Sequence, residues 1–227
     1  MGFLPLAIGQ ARRGKAKPAE RAAGKASGKP SLKPGQIDVD KSRVYVYVGK
    51  KRLGHAHAVE GKIKSGSINV KVEKQAHEIS GEIVFDMVSF SADTDDARKQ
   101  VELEGSIAES TREQVTETMN GPDVLDVQQF PTATFTIKSG GLHEGHKADA
   151  VYDLKGEFTL HGKTRPLAIV ALQSHEDDRL RYRGEFTILQ TDFGITPYKA
   201  ALGTVGVADE LKIWGDIWVA APKPARK

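Results

Sequence analysis

With 227 residues, 39% of them hydrophobic and 28% charged, the chain has the composition of one ordinary domain of about 150–200 residues plus tails. It has no cysteine, which excludes disulfides, thiol catalysis and thiolate metal sites, and no apolar run near the roughly 18–20 residues of a membrane-spanning helix. The formal charge of +3 is segregated: residues 1–36 hold eight Lys/Arg against one Glu, the C-terminus ends in Lys223, Arg226 and Lys227, and the body between 37 and 222 has 22 basic against 29 acidic side chains, which argues against nucleic acid as a partner.

In chain order, the first element is Gly2–Gly9, apolar but short, followed by the small-x-small triplet Gly9-Gln10-Ala11. It fits the back half of an export signal whose basic start lies upstream of Met1, and it also fits a terminus with no such role. On the first reading the protein is periplasmic or secreted. Residues 12–36 are rich in Lys, Ala, Gly, Pro and Ser with almost no large apolar side chain, so they read as a flexible basic linker. The expected organisation is a disordered basic segment over 1–35, a folded domain over 36–220 and a basic tail over 221–227.

From residue 37 the apolar positions alternate with period two, the mark of strands with unlike faces. Val44, Val46 and Val48 share one face, with Tyr45 and Tyr47 opposite; Ile68, Val70 and Val72 alternate with Asn69, Lys71 and Glu73. Ala133, Phe135 and Ile137 alternate with threonines; Tyr152, Leu154, Phe158 and Leu160 share a parity, as do Tyr182, Phe186 and Ile188. The last strand sets Leu211, Ile213 and Ile217 against Trp214 and Trp218. His161-Gly162 between two such runs suits a tight hairpin, and Lys64-Ser65-Gly66-Ser67 reads as another turn. Asp95–Val101 has room for one or two helical turns. Ser110–Met119 opens with Ser110 and Glu113 in capping-box spacing and stops at Asn120-Gly121-Pro122, so one short helix is expected there. About eight antiparallel strands close most simply into an up-and-down barrel, although alternation alone also allows a β-sandwich.

Three segments have a more specific look: Phe130-Pro131-Thr132-Ala133-Thr134-Phe135; Gly156-Glu157-Phe158-Thr159-Leu160-His161-Gly162-Lys163-Thr164-Arg165-Pro166; and Phe186–Ile195, which runs through Thr191-Asp192-Phe193-Gly194. In this order they resemble the YceI family of lipocalin-like, polyisoprenoid-binding proteins. The resemblance extends to Ile37–Val44 as a first strand, to Val59-Glu60-Gly61 and Lys64–Ile68 as a second and third, and to Phe85–Asp93 as the next. It departs at Arg112-Glu113, Met119 and Asp123–Val127, where many members have Arg-Asp, a Leu and Asp-Phe-Phe, and at Gly54-His55-Ala56-His57, where a single His is commoner. It implies an all-β, lipocalin-like antiparallel barrel of about eight strands with one short helix insertion. It also implies a non-enzymatic binder or carrier of a long-chain isoprenoid-type lipid or isoprenoid quinone, with no cofactor and no stable membrane insertion. Whether such a barrel forms a homodimer is left open.

On that reading Met87, Phe135, Ile137, Leu154, Phe158, Phe186, Ile188, Ile213 and Ile217 line a tunnel, and Arg112 and Asp192 sit at an opening, where an arginine suits a phosphate head. The residues by themselves also allow a packed core with no cavity, Asp192 as a turn residue and Arg112 as a solvated helix side chain. His55 and His57, two apart in an expected strand, point to one face and are weak candidates for a metal; His143 and His146 in a Gly-rich loop are weaker still. A metal-dependent enzyme using His55 and His57 and a closed-core structural or stress protein are the alternative functions. The chain contains no Gly-x-Ser-x-Gly elbow, His-Glu-x-x-His, phosphate loop or dinucleotide fingerprint.

Overall fold

The computed structural model describes residues 31–73, 76–144 and 150–222. Most of the expected N-terminal segment, the end of the tail and His146 lie outside the described residues. Nine strands follow one another: β1 (Arg43–Arg52), β2 (His57–Glu73), β3 (Ala76–Ala92), β4 (Thr132–Leu142), β5 (Ala150–Leu160), β6 (Lys163–Glu176), β7 (Arg179–Leu189), β8 (Lys199–Ala200) and β9 (Val205–Ala220). Each long strand pairs antiparallel with the next, β7 pairs with β9, and β9 pairs back to β1 with Val46 opposite Ile213. Eight strands therefore close on themselves, which leaves no long edge and decides for the barrel over a sandwich. The two-residue β8 adds to one end of β9.

Alternation fills the barrel. Along β4 and β5, Ala133, Phe135, Ile137, Tyr152, Leu154, Phe158 and Leu160 are all buried, while the threonines between the first three are half-buried on the outside. Phe158 sits at the centre of an aromatic cluster, edge-on to Phe85, Phe186 and Phe193 at 5.6–6.0 Å between centroids, a geometry that adds modestly to the area buried. The hairpin at His161-Gly162 forms as expected, both residues taking positive φ (49° and 70°), as the twist-matched two-residue turn requires.

Three local expectations are corrected. Lys64-Ser65-Gly66-Ser67 is no turn: β2 runs straight through it, with register shifts against β3 at Glu60/Lys62 and Ile63/Ser65. The small residues serve a bulged, tightly paired stretch; a Cβ on Gly66 would stand 2.3 Å from the Glu82 carbonyl oxygen and 2.8 Å from Ile37. The segments read as a second and third strand are thus one strand. The helical turns expected at Asp95–Val101 form as α1 (Asp95–Gln100), so with α2 (Glu109–Asn120) the insertion holds two helices rather than one. Thr94 caps α1 through its side chain to the Ala97 N–H, whereas α2 starts one residue before Ser110, with Ala108 at the cap position, so the expected capping box does not form. Finally, Val72 is exposed, since the far part of β2 projects past the packed interior.

The two ends of the barrel are closed differently. Residues 35–38 fill the gap between β2 and β9 below the start of β1: Ile37 donates to the Gly66 carbonyl at 3.0 Å, Asp38 to that of Trp218 at 2.7 Å, and Ala220 to that of Gln36 at 2.9 Å. This end is packed shut by the buried Ile37, Ile79, Tyr152 and Val219. The other end is covered by the last turn of α2 and the segment after it, which lower Met119, Val124 and Leu125 onto the interior.

Candidate functional site: an apolar interior with a polar mouth

The interior holds two apolar lobes. The upper one, about 90 Å³, lies under Met119, Val124 and Leu125 and is walled by Val46, Met87, Phe90, Phe158, Ile188 and Ile213 among others. The lower one, about 50 Å³, is walled by Ile68, Phe135, Leu154, Tyr182 and Ile217. Val44, Phe85 and Phe186 line both, so the lobes meet at a waist made of these three side chains. Among the described residues, only Gln190 above and Tyr182 below bring a polar side chain to either lobe. Gln190 is satisfied by donating Nε2 to the Ala208 carbonyl at 2.7 Å. Tyr182 is 4% exposed and its hydroxyl has no partner among the described residues; burial, and then neighbouring Tyr152, push its phenol well above the usual range.

Above the upper lobe a wider vestibule of about 440 Å³ opens between α2 and the strand ends, sharing Val48, Val59, Met119 and Val124 with it. Its polar side chains are His57, Gln114, Thr118 and Tyr198. His57 is held from behind by Asp93, whose Oδ2 lies 2.7 Å from Nδ1. Asp93 is fully buried, and its Oδ1 accepts from the Ala58 N–H at 3.2 Å and from Arg98 Nη1 at 2.9 Å. Burial drives this carboxyl upward, but the hydrogen bonds from His57, Ala58 and Arg98 outweigh it, so Asp93 stays below the ordinary carboxyl range. Arg98 is completed by the carbonyls of Glu104 and Gly105, which ties α1 and the loop after it to the mouth.

The YceI-like domain profile matches residues 36–217. The chain belongs to the YceI family. Two solved structures share its fold: Burkholderia cenocepacia BcnA, at 20% identity and a TM-score of 0.56, covering 81% of this chain and 99% of its own, and a polyisoprenoid binding domain from Saccharophagus degradans implicated in plant cell wall breakdown, at 15% and 0.51, covering 84% and 100%. Among curated proteins, none matches by sequence.

Within this YceI barrel the expected wall residues turn inward. Met87, Phe158, Ile188 and Ile213 face the upper lobe, Phe135, Leu154 and Ile217 the lower, and Phe186 both; Ile137 is buried in the core but lines neither. The two polar candidates are placed elsewhere. Arg112 stands on α2, 3.8 Å from both Asp95 and Glu109, in a separate polar cleft lined by Thr94, Glu113 and Thr116 that shares no residue with the lobes. Asp192 is exposed on the short 3-10 turn Gln190–Phe193, outside the wall near Arg165 and Pro166. His55 precedes β2 and is exposed while His57 opens the strand, so the shared-face argument fails because His55 is not in the strand. Among the described residues, no group of three or more His, Asp or Glu is arranged to hold a metal ion.

The sequence reading passed over the lid and the buried network behind His57. The lid residues Met119, Val124 and Leu125 lie in the stretch noted as a departure, and no periodic pattern of apolar side chains marks them. Asp93 lies 36 positions from His57, and no local spacing connects them.

Proposed function

We propose that the barrel binds a single long apolar lipid of isoprenoid type, with its chain threaded through the two lobes and its head in the vestibule, and carries or sequesters it without chemical change. The observation that carries this reading is the continuity of apolar lining from the vestibule through the upper lobe and the waist to Tyr182. Family membership and the likeness to a polyisoprenoid binding domain support the ligand class. A methyl-branched hydrocarbon chain suits such walls: each five-carbon unit buried contributes roughly 3 kcal/mol before ordering costs. A few units therefore suffice for tight binding without a charged anchor, in keeping with the absence, among the described residues, of any Lys or Arg from the lobes and the vestibule. A carrier of this kind belongs to a compartment between membranes or outside the cell, and the reading places the protein in the periplasm or among secreted proteins.

Native mass spectrometry of the purified full chain, followed by denaturing organic extraction, tests the reading. The expected result is a bound species of several hundred daltons that partitions as a lipid. Phe158→Asp, which puts a charge at the centre of the aromatic cluster, should abolish its retention. A protein that stays at its apo mass after incubation with polyprenyl alcohols and quinones overturns the reading in favour of a closed structural core.

A further inference from the structure

We propose that His57, fixed by Asp93, is a hydrogen-bond acceptor for a hydroxyl group on the ligand's head, so that the mouth selects chains ending in an alcohol, phenol or hydroquinone. The inference rests on the lipid-binding reading above and supplies the chemistry of the end that stays in the vestibule.

Three features carry it. The first is the orientation of the ring. A carboxylate only accepts, so the proton between Asp93 Oδ2 and His57 Nδ1 resides on Nδ1, and a ring carrying that single proton presents a lone pair at Nε2. The two ring nitrogens lie on opposite sides of the imidazole. Tying Nδ1 to the fully buried carboxylate therefore turns Nε2 away from it, toward the vestibule that His57 lines, where its side chain is 18% exposed. Nε2 takes no hydrogen bond among the described residues.

The second feature is the charge balance behind the ring. Arg98 already neutralises Asp93 from its other side at 2.9 Å, so the carboxylate does not require a cationic imidazole. A His–Asp contact that served only as a strut between β2 and the start of α1 would work as well with the ring turned to the bulk solvent. Here the ring instead forms part of the wall that leads to the upper lobe.

The third feature is what surrounds Nε2. Apart from His57, the polar vestibule side chains are Gln114, Thr118 and Tyr198, and the Thr118 hydroxyl is engaged by the Gln114 carbonyl at 2.8 Å. Among the described residues no Lys or Arg lines the vestibule, and Arg98 reaches the site through Asp93. A phosphate or diphosphate head would find no bidentate cation there, while a neutral hydroxyl finds a pre-oriented acceptor in apolar walls, where such a bond is favoured.

The experiment compares three probes on the wild-type full chain at one fixed, mildly alkaline pH: geranylgeraniol, its methyl ether and geranylgeranyl diphosphate. Affinities are read by displacement of a fluorescent apolar probe and checked by calorimetry. The alcohol is expected to bind about fivefold more tightly than the ether, which keeps the chain and the oxygen but cannot donate. In His57→Leu the two should bind alike, at the wild-type affinity for the ether to within about twofold. Equal affinity of the wild type for alcohol and ether, or tighter binding of the diphosphate, overturns the inference and leaves the lipid-binding reading standing. Failure of both alcohol and ether to bind overturns both. The ligand pair decides the matter on the wild type alone, so the result does not depend on the variant folding.

Discussion

At the mouth of the barrel Asp93 is fully buried and every contact around it is an answered one: His57 on one oxygen, the Ala58 N–H and Arg98 on the other, and Arg98 itself finished by two backbone carbonyls. At the lower lobe Tyr182 is almost as deeply buried, and its hydroxyl has no partner among the described residues. The contrast follows from charge. An unpaired ion in a medium of low polarity costs several kcal/mol, so the fold has had to assemble a network around Asp93. A neutral hydroxyl costs about 1–3 kcal/mol, which a well-packed ring can absorb. Asn120, at the end of α2, follows the neutral pattern: it donates Nδ2 to the Phe90 carbonyl at 3.0 Å and leaves Oδ1 without a partner among the described residues.

The largest expected effect comes from breaking the charged end. Asp93→Ala leaves Arg98 buried without its counter-ion and should destabilise the barrel by about 3–5 kcal/mol, read as the shift in urea unfolding free energy. A loss below about 1 kcal/mol would mean that water enters the mouth freely and that the network is not a buried one. Next in size is the closed end. Ile37→Ala removes an almost fully buried side chain from the segment that fills the gap between β2 and β9, and about 2–4 kcal/mol should be lost. A much smaller loss would show that residues 35–38 do not seal that end in solution.

A smaller effect is expected in acid. The Asp93 carboxyl is held below its ordinary value in the folded protein, so its contribution to stability is complete above about pH 4 and drains away as the pH falls through the lower folded value. Stability profiles between about pH 2 and 6 should therefore fall less steeply in Asp93→Asn than in the wild type. Identical slopes would indicate that other carboxyl groups account for the acid limb.

The same contrast marks what the chain discloses to a reader of its letters. The barrel wall was legible because a strand that is wet outside and dry inside repeats every two residues: Tyr152, Leu154, Phe158 and Leu160 declare their face without any knowledge of their partners. The hairpin at His161-Gly162 was legible for a similarly local reason. Gly66 misled because small residues serve bulges as well as turns, and only the opposing Glu82 backbone tells which. His55 and His57 misled because the strand begins between them. The mouth itself was hidden, since His57, Asp93 and Arg98 meet through the closure of β2 onto β3 and α1, a tertiary fact with no spacing of its own. The lid over the upper lobe was hidden because its apolar residues stand on a helix end and a loop, where no period announces them.

The smallest effect has an unusual sign. Tyr182→Phe keeps the ring packed beside Tyr152, 6.4 Å away between centroids, and deletes only the hydroxyl. Elsewhere in a barrel, removing a buried tyrosine hydroxyl usually costs stability because a partner is left behind. Here no such partner is present among the described residues, so the substitution relieves a desolvated polar atom and should raise the unfolding free energy by about 1 kcal/mol. The lower lobe becomes wholly apolar, and retention of an apolar chain should hold or improve. A drop in stability of about 1 kcal/mol would instead mean that the hydroxyl is partnered in solution, and the two ends of the interior would then follow one rule. Because the change involves a single atom and leaves Phe85, Phe135 and Phe186 undisturbed, equilibrium unfolding of the purified variant separates these outcomes cleanly.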